Sequence, residues 1–378
     1  MTKPERLPLL TSLRFFAAAE VLIFHACGAQ LHLDGTPSVI RDLFDNGYEA
    51  VTFFFLLSGF VLTYSHRRDH DLSSGAALRR YYFGRITRIY PVYWLALLIA
   101  APQFLYEGMR EINPLYSVGE FASSLLLAPT LLQTWYPPAA ALWVWSAWSL
   151  SVEATFYLIL PFLVPRLSRR PVWQQLAISL ALLGLVEVLR ILLSNGGMPW
   201  INPPLNLSFE FLHYHFWLFA PVFVLGSALA GAYAKYPPTP RAASLMFNGA
   251  WALLLGLFSC RSSLPLWALS NVVLAPLFAV LVLGATNAEG LIPRLLSNPT
   301  MVLLGNASYA LYILHLPLLH WWTLLDLPLP PEVFCVIAVI VSVVCYRYVE
   351  TPVLRWSRRL ITERKAVATV GASAVVPQ

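Results

Sequence analysis

Ionisable and hydroxyl side chains recur at helical spacing inside the most apolar segments of this chain, where they could carry proton transfer. The stretch LTSLRFFAAAEVLIFHACG holds Arg14 and, eleven positions on, His25. In a helix the two are roughly 16 Å apart along the axis and lie on nearly the same face. A second stretch, WVWSAWSLSVEATFYLILP, places Ser149, Glu153 and Tyr157 at i, i+4 and i+8 on one face. A third, LLGNASYALYILHLP, aligns Ser308, Tyr312 and His315 as a polar stripe. An imidazole beside a carboxylate is a candidate general base, and hydroxyls near it can bind substrate or stabilise an oxyanion. Glu153 and His25 are expected at similar depth, where they could pair and make each other's burial tolerable. A plain buried ion pair that fixes helix packing is the competing reading.

Arginine supplies a different chemistry. In FGRITRIYP, Arg85 and Arg88 stand about one turn apart, and guanidinium forks match phosphate oxygens. Ordinary anchoring of juxtamembrane arginines explains the same pair without a ligand. Arg347 and Glu350, in YRYVETP, could form a salt bridge or gate beside them. Arg14 could also snorkel to the interface, and Ser58 with Gly59 could serve only close helix approach.

The elements that must position these residues are membrane helices. Of 378 residues, 58% are hydrophobic and 12% charged, whereas soluble domains carry about 25% charged residues. Apolar runs of spanning length occur at about 11–30, 46–65, 89–107, 144–164, 173–193, 213–234, 244–260, 266–286, 300–322 and 332–349. An eleventh, Val118 to Trp135, is shorter and broken by Pro129. The net charge of +6 comes from basic residues clustered between these runs, a pattern of membrane topology and not of nucleic-acid binding. The basic connections share one side only if the eleventh stretch fails to cross. The expected fold is therefore all-α and integral to the membrane, with about ten transmembrane helices, one short re-entrant or interfacial stretch, and both termini cytoplasmic. Residues 1–360 are expected to form one membrane domain and 361–378 a cytoplasmic tail. Cys27, Cys260, Cys335 and Cys345 read as apolar fillers, and no spacing suggests a metal site. The first apolar stretch, which carries Arg14, Glu20 and His25, does not resemble a cleavable signal peptide.

The ordered series resembles the membrane-bound acyltransferase-3 family, whose members O-acylate exopolysaccharide, lipopolysaccharide, peptidoglycan and some macrolides. The residues that carry the resemblance are Arg14 with His25, Ser58-Gly59-Phe60, Arg85-x-x-Arg88, Trp148-Ser149-Leu150-Ser151-Val152-Glu153 with Phe156-Tyr157, Ser308-Tyr309 to His315-x-Pro317, and Tyr346 to Pro352. They span Leu10 to Pro352.

The resemblance implies cytoplasmic acyl-coenzyme A, most simply acetyl-coenzyme A, as co-substrate, with Arg14, Arg85 and Arg88 on its phosphates and the thioester near His25. It implies His25 as general base or acyl carrier, and Glu153 orienting the imidazole or positioning the sugar. Ser58, Trp148, Ser149, Tyr157, Tyr309, Tyr312 and His315 are the substrate or oxyanion candidates. The acceptor would be a glycan or lipid-linked oligosaccharide, such as an exopolysaccharide repeat unit, at the bacterial inner membrane, with a polysaccharide assembly complex as a further partner. The segment from Ser194 to His213 could form an acceptor platform. Trp135, Trp143, Trp145, Trp148 and Trp200 could stack on sugars or form an interfacial belt. Two other classes use the same charges: a transporter of a glycan or small metabolite, and a non-enzymatic scaffold. A transporter would need no coenzyme A and commonly shows internal repeats, which are not evident here.

Overall fold

The computed structural model describes residues 7–33, 35–66, 74–109, 117–193 and 209–361. Among them the regular secondary structure is helical, and ten stretches are long and apolar enough to cross a bilayer. In chain order the α-helices are α1 (Pro8–Leu31), α2 (Ser38–Leu43), α3 (Gly47–His66), α4 (Gly75–Met109), α5 (Val118–Leu127), α6 (Ala147–Ser168) and α7 (Val172–Leu193). They continue with α8 (Phe209–Tyr214), α9 (Phe216–Lys235), α10 (Pro240–Ser259), α11 (Asn271–Ala285), α12 (Leu291–Leu296), α13 (Pro299–Leu324) and α14 (Pro331–Cys345). A π-helical turn, Tyr346–Glu350, prolongs α14, and the helical path runs on to Ile361.

Starts are written locally. Pro299 opens α13 while the side chain of Asn298 accepts from the N–H groups of Thr300 and Met301 at 2.8 and 3.0 Å, satisfying donors that the first turn leaves free. Burial is arranged for lipid. On α7 the inward residues include Gln175 and Ser179, whereas Leu185, Val188 and Leu192 stand exposed. Polar inside and apolar outside is what a hydrocarbon solvent selects.

Close approach sets the interior. A Cβ on Gly59 of α3 would collide with the carbonyl of Phe223 on α9, and one on Gly226 would collide with that of Leu56. The contact is reciprocal, so neither helix could come this near with a larger residue. Gly305 of α13 lies in the same way against the backbone of Thr11 on α1. That second contact brings the Arg14 and His25 face of α1 onto the Ser308 to His315 stripe of α13.

Val118 to Trp135 forms no spanning helix. After α5 the chain breaks at Pro129 into short 3₁₀ turns, with Leu131 in the left-handed region at φ 59°. Its freed groups are met by neighbouring helices. Tyr93 donates to the Ala128 carbonyl at 2.5 Å, Ser151 to that of Leu131 at 2.7 Å, and Gln133 donates to the Ala147 carbonyl at 3.1 Å. Irregular backbone survives at membrane depth only when protein satisfies it in this way.

Two spans are longer than hydropathy predicts. α4 has 35 residues, roughly 52 Å at 1.5 Å per residue, against roughly 30 Å of hydrocarbon. The basic segment from Arg79 to Arg88, expected as a connection, is therefore helix that overhangs the apolar slab. Pro331–Ile361 has 31 residues and overhangs likewise. Hydropathy reports where apolar residues stop, not where the helix does. Residues 194–208 of the expected acceptor platform, Trp200 among them, and residues 362–378 of the expected tail lie outside the described residues.

Candidate active site

Two cavities share a wall. The larger, about 390 Å³, lies where α4 begins and the last helix ends, lined by His66, Arg80, Tyr81, Arg85, Arg88 and Arg358. The smaller, about 220 Å³, lies deeper among α1, α3, α4, α6 and α13. Arg14, Ser58, Glu153, Tyr157, Tyr309 and Tyr312 line it. Arg85 and Arg88 border both. Nine of the sequence-selected residues thus converge on the inner cavity: Arg14, Ser58, Arg85, Arg88, Ser149, Glu153, Tyr157, Tyr309 and Tyr312.

The two arginines differ in what holds them. Arg88 forms an ion pair with Glu350, which the π turn carries into the bundle as a fully buried carboxylate. Its guanidinium also lies 5.6 Å from the ring of Tyr309. Arg85 sits between the rings of Tyr81 and Tyr157, at 6.0 and 5.7 Å, and its buried Nε has no hydrogen-bond partner. The two arginines expected to face one anion are therefore held differently. Arg88 is neutralised by Glu350, and Arg85 keeps donor capacity to offer. Arg347, expected at a gate, is exposed.

Glu153 is the hub of the inner cavity. One of its carboxylate oxygens accepts from both Ser58 and Tyr157, each at 2.7 Å. Arg14 lines the same space, so opposite charges offset each other's burial. Ser58 and Gly59 divide the two readings of their motif, the serine facing Glu153 and the glycine facing α9.

His25 does not pair with Glu153. Its Nδ1 lies 2.8 Å from the Val21 carbonyl and 3.2 Å from Nε2 of His315. The expected carboxylate–imidazole pair is replaced by two imidazoles from α1 and α13, with ring centres 5.0 Å apart. The depth argument neglected rotation about the helix axes, which aims His25 at α13 and Glu153 at α3. Backbone carbonyls only accept, which assigns the protons. His315 Nδ1, 2.7 Å from the Tyr312 carbonyl, carries its proton and leaves Nε2 with a lone pair. His25 Nδ1–H then donates to the Val21 carbonyl and toward that lone pair. The basic nitrogen of His25 is consequently Nε2.

A thin layer separates the histidines from the inner cavity. The Tyr312 hydroxyl donates to Ser149 at 2.7 Å, Ser149 donates to the Ser146 carbonyl at 3.0 Å, and Phe54 meets the Tyr312 ring edge-on at 5.7 Å. On the far side of this layer Trp145 approaches His25, with ring centres 6.2 Å apart. Trp148, a sequence-selected candidate, is buried behind Tyr48 and touches neither cavity.

A family model described as an acyltransferase domain matches residues 9–348. The chain belongs to the acyltransferase-3 family. It is a multi-pass membrane acyltransferase. It is similar to Acyltransferase MdmB of Streptomyces mycarofaciens, 27% identical over 96% of this chain and 95% of the relative. It is 24% identical to Nodulation protein 10 of Rhizobium leguminosarum bv. viciae, over 94% of this chain and 95% of that protein. O-acetyltransferase OatA of Staphylococcus aureus is 22% identical over 93% of this chain, which spans 58% of that longer relative. No solved structure matches.

Sequence reasoning missed a second polar cluster, at the end of the bundle where α1 finishes. Arg261, after α10, donates to Asn46 at 2.9 Å and Glu49 at 2.7 Å, while Ser262 donates to Asp42 through its N–H and hydroxyl at 2.9 and 2.6 Å. Glu20 accepts from the Asn46 N–H at 3.0 Å. Carboxylates at Glu20 and Glu49 inside apolar runs were the available signal. Their partners follow no local spacing.

Proposed function

We propose that this acyltransferase moves an acetyl group from cytoplasmic acetyl-coenzyme A to a hydroxyl of a glycan or lipid-linked oligosaccharide across the bacterial cytoplasmic membrane. The observation that carries this reading is a file of polar groups through the bundle, closed at one level by a thin layer. It runs from the basic outer cavity past Arg85, along Glu153 and Tyr157, and through the Tyr312–Ser149 layer to the His315–His25 pair. The arginine-rich end is taken as cytoplasmic, in keeping with the positive-inside rule. The name of the staphylococcal relative favours acetyl, and resemblance to the family favours an exopolysaccharide-type acceptor.

In this reading the phosphates of the donor sit in the outer cavity against Arg80 and Arg85, and its arm threads the inner cavity. Opening of the Tyr312–Ser149 layer admits the thioester. The acceptor oxygen attacks the thioester carbonyl carbon while Nε2 of His25 takes the hydroxyl proton. The imidazolium so formed is stabilised through Nδ1–H by the Val21 carbonyl and the lone pair of His315. The same opening frees the Tyr312 hydroxyl proton, which otherwise goes to Ser149, as a donor for the tetrahedral oxyanion. Collapse breaks the carbon–sulfur bond, and the proton passes from Nε2 to the departing thiolate. An acyl group carried on Nε2 would use the same atoms in two steps.

The test is ester-linked acetate on surface polysaccharide from a host that lacks the gene, complemented with wild type or His25→Ala at matched membrane levels. Acetate restored by wild type alone supports transfer through His25. Full restoration by His25→Ala overturns the role of the imidazole. Acetate unaffected by loss of the gene, with altered glycan export, overturns the reading in favour of transport.

A further inference from the structure

Non-helical backbone joins the last 3₁₀ turn to α6, and Trp145 lies within it at the end of the bundle where α1 finishes. Its side chain is 52% exposed, yet its Nε1–H is already used, donating to the Tyr214 hydroxyl at 3.0 Å. A tryptophan that anchors a protein at the bilayer surface directs that N–H to water or headgroups. Here the N–H goes to the buried Tyr214 and fixes the indole, while about half of the residue's surface stays accessible. Behind it the support is aromatic and continuous. Tyr214 packs on Trp148 with ring centres 4.9 Å apart, and Trp148 in turn underlies Tyr48 at 6.1 Å and 22°. Tyr48 is itself 37% exposed, and its hydroxyl donates to the His213 carbonyl at 3.1 Å. The shelf thus offers two accessible rings locked by hydrogen bonds, and one of them touches the ring of His25.

We propose that Trp145 and Tyr48 form the acceptor subsite, a shelf that stacks the apolar face of a sugar ring and presents its edge hydroxyls to His25. The C–H groups on one face of a pyranose carry small positive charge and meet the negative face of an aromatic ring favourably. Stacking leaves the equatorial hydroxyls free at the rim. A ring lying on the Trp145 indole therefore carries them toward the His25 imidazole, whose Nε2 has the lone pair to take a proton. Trp145 acts as a positioning residue through its exposed face, and Tyr214 acts through Trp145. The proposal deepens the acetyl-transfer reading and rests on it.

The experiment separates acceptor from donor. Purified protein in proteoliposomes receives labelled acetyl-coenzyme A, and acceptor-bearing membrane vesicles from a host lacking the gene are titrated in. Trp145→Ala is expected to raise the half-saturating acceptor concentration about tenfold, which corresponds to ~1.4 kcal/mol, while half-saturation by acetyl-coenzyme A and the thermal midpoint are retained. Trp145→Phe keeps a ring and should recover most of the loss. Tyr214→Phe frees the indole and should give an intermediate rise. An unchanged acceptor requirement in Trp145→Ala overturns the shelf while leaving acetyl transfer intact. A parallel rise in the donor requirement overturns it as well, since the residue would then act on the fold. Absence of labelled product with wild type overturns the acetyl-transfer reading on which the shelf depends.

Discussion

Replacing His315 with Phe tests whether an imidazole, and not the Glu153 carboxylate, supports His25. Phe keeps the bulk of the ring at this buried position and removes the Nε2 lone pair that lies 3.2 Å from His25 Nδ1. What is lost is one hydrogen bond to a group that, in the proposed reaction, becomes positively charged in the transition state, worth about 1.5 to 3 kcal/mol. At ~1.4 kcal/mol per factor of ten, kcat should fall by about ten- to a hundredfold. The requirement for acetyl-coenzyme A should hardly change, because His315 lines neither cavity. His25→Ala should cost more, up to about 10⁴-fold, as expected for loss of a general base. The double variant decides the matter. Because His315 acts through His25, adding His315→Phe to His25→Ala should cost nothing further. Glu153→Gln and His315→Phe, which touch different groups, should instead combine multiplicatively. Transfer would be followed as labelled acetate moved from acetyl-coenzyme A to acceptor membranes, with protein amounts matched by fluorescence-detected gel filtration. Wild-type kcat in His315→Phe, or a further loss in the double variant, refutes the argument.

Other outcomes follow from the remaining geometry. Arg85→Ala should raise the KM for acetyl-coenzyme A with little change in thermal midpoint, measured in detergent, because its Nε binds nothing within the protein. Arg88→Ala should behave oppositely, lowering stability by about 3 kcal/mol by leaving Glu350 buried and unpaired; Glu350→Gln in the same chain should recover part of that midpoint. Gly226→Val should cost about 3 kcal/mol or more through collision with the Leu56 carbonyl, read as lost monodisperse protein on gel filtration. Arg261→Ala removes donors to Asn46 and Glu49 and should lower stability by about 2 kcal/mol, while the KM for acetyl-coenzyme A, proposed to bind at the opposite end, stays constant.

Composition and local pattern decide the class of this protein and most of its polar interior. Each apolar run must satisfy its own backbone in hydrocarbon, so run length yields ten helices, and the sidedness of the basic connections predicts that the short, Pro129-broken Val118 stretch will not cross. The polar stripe on α13 and the Ser149–Glu153–Tyr157 face on α6 were legible because 3.6 residues per turn places them together without knowledge of any neighbour. Pairing between helices is different. His25 and His315 are 290 positions apart and meet because Gly305 lets α13 lie against α1. Depth along an axis can be counted from residues, but rotation about it is settled only by which ridges pack, and that rotation gave His25 an imidazole for a partner and Glu153 a serine and a tyrosine. Glu350 enters the site through a π turn that adds one residue to the helical repeat and turns the carboxylate inward toward Arg88, a change to which hydropathy is blind. Which of two similar arginines remains available to an anion is thus a property of packing, whereas the presence of arginines at that end of the bundle is already written in the chain.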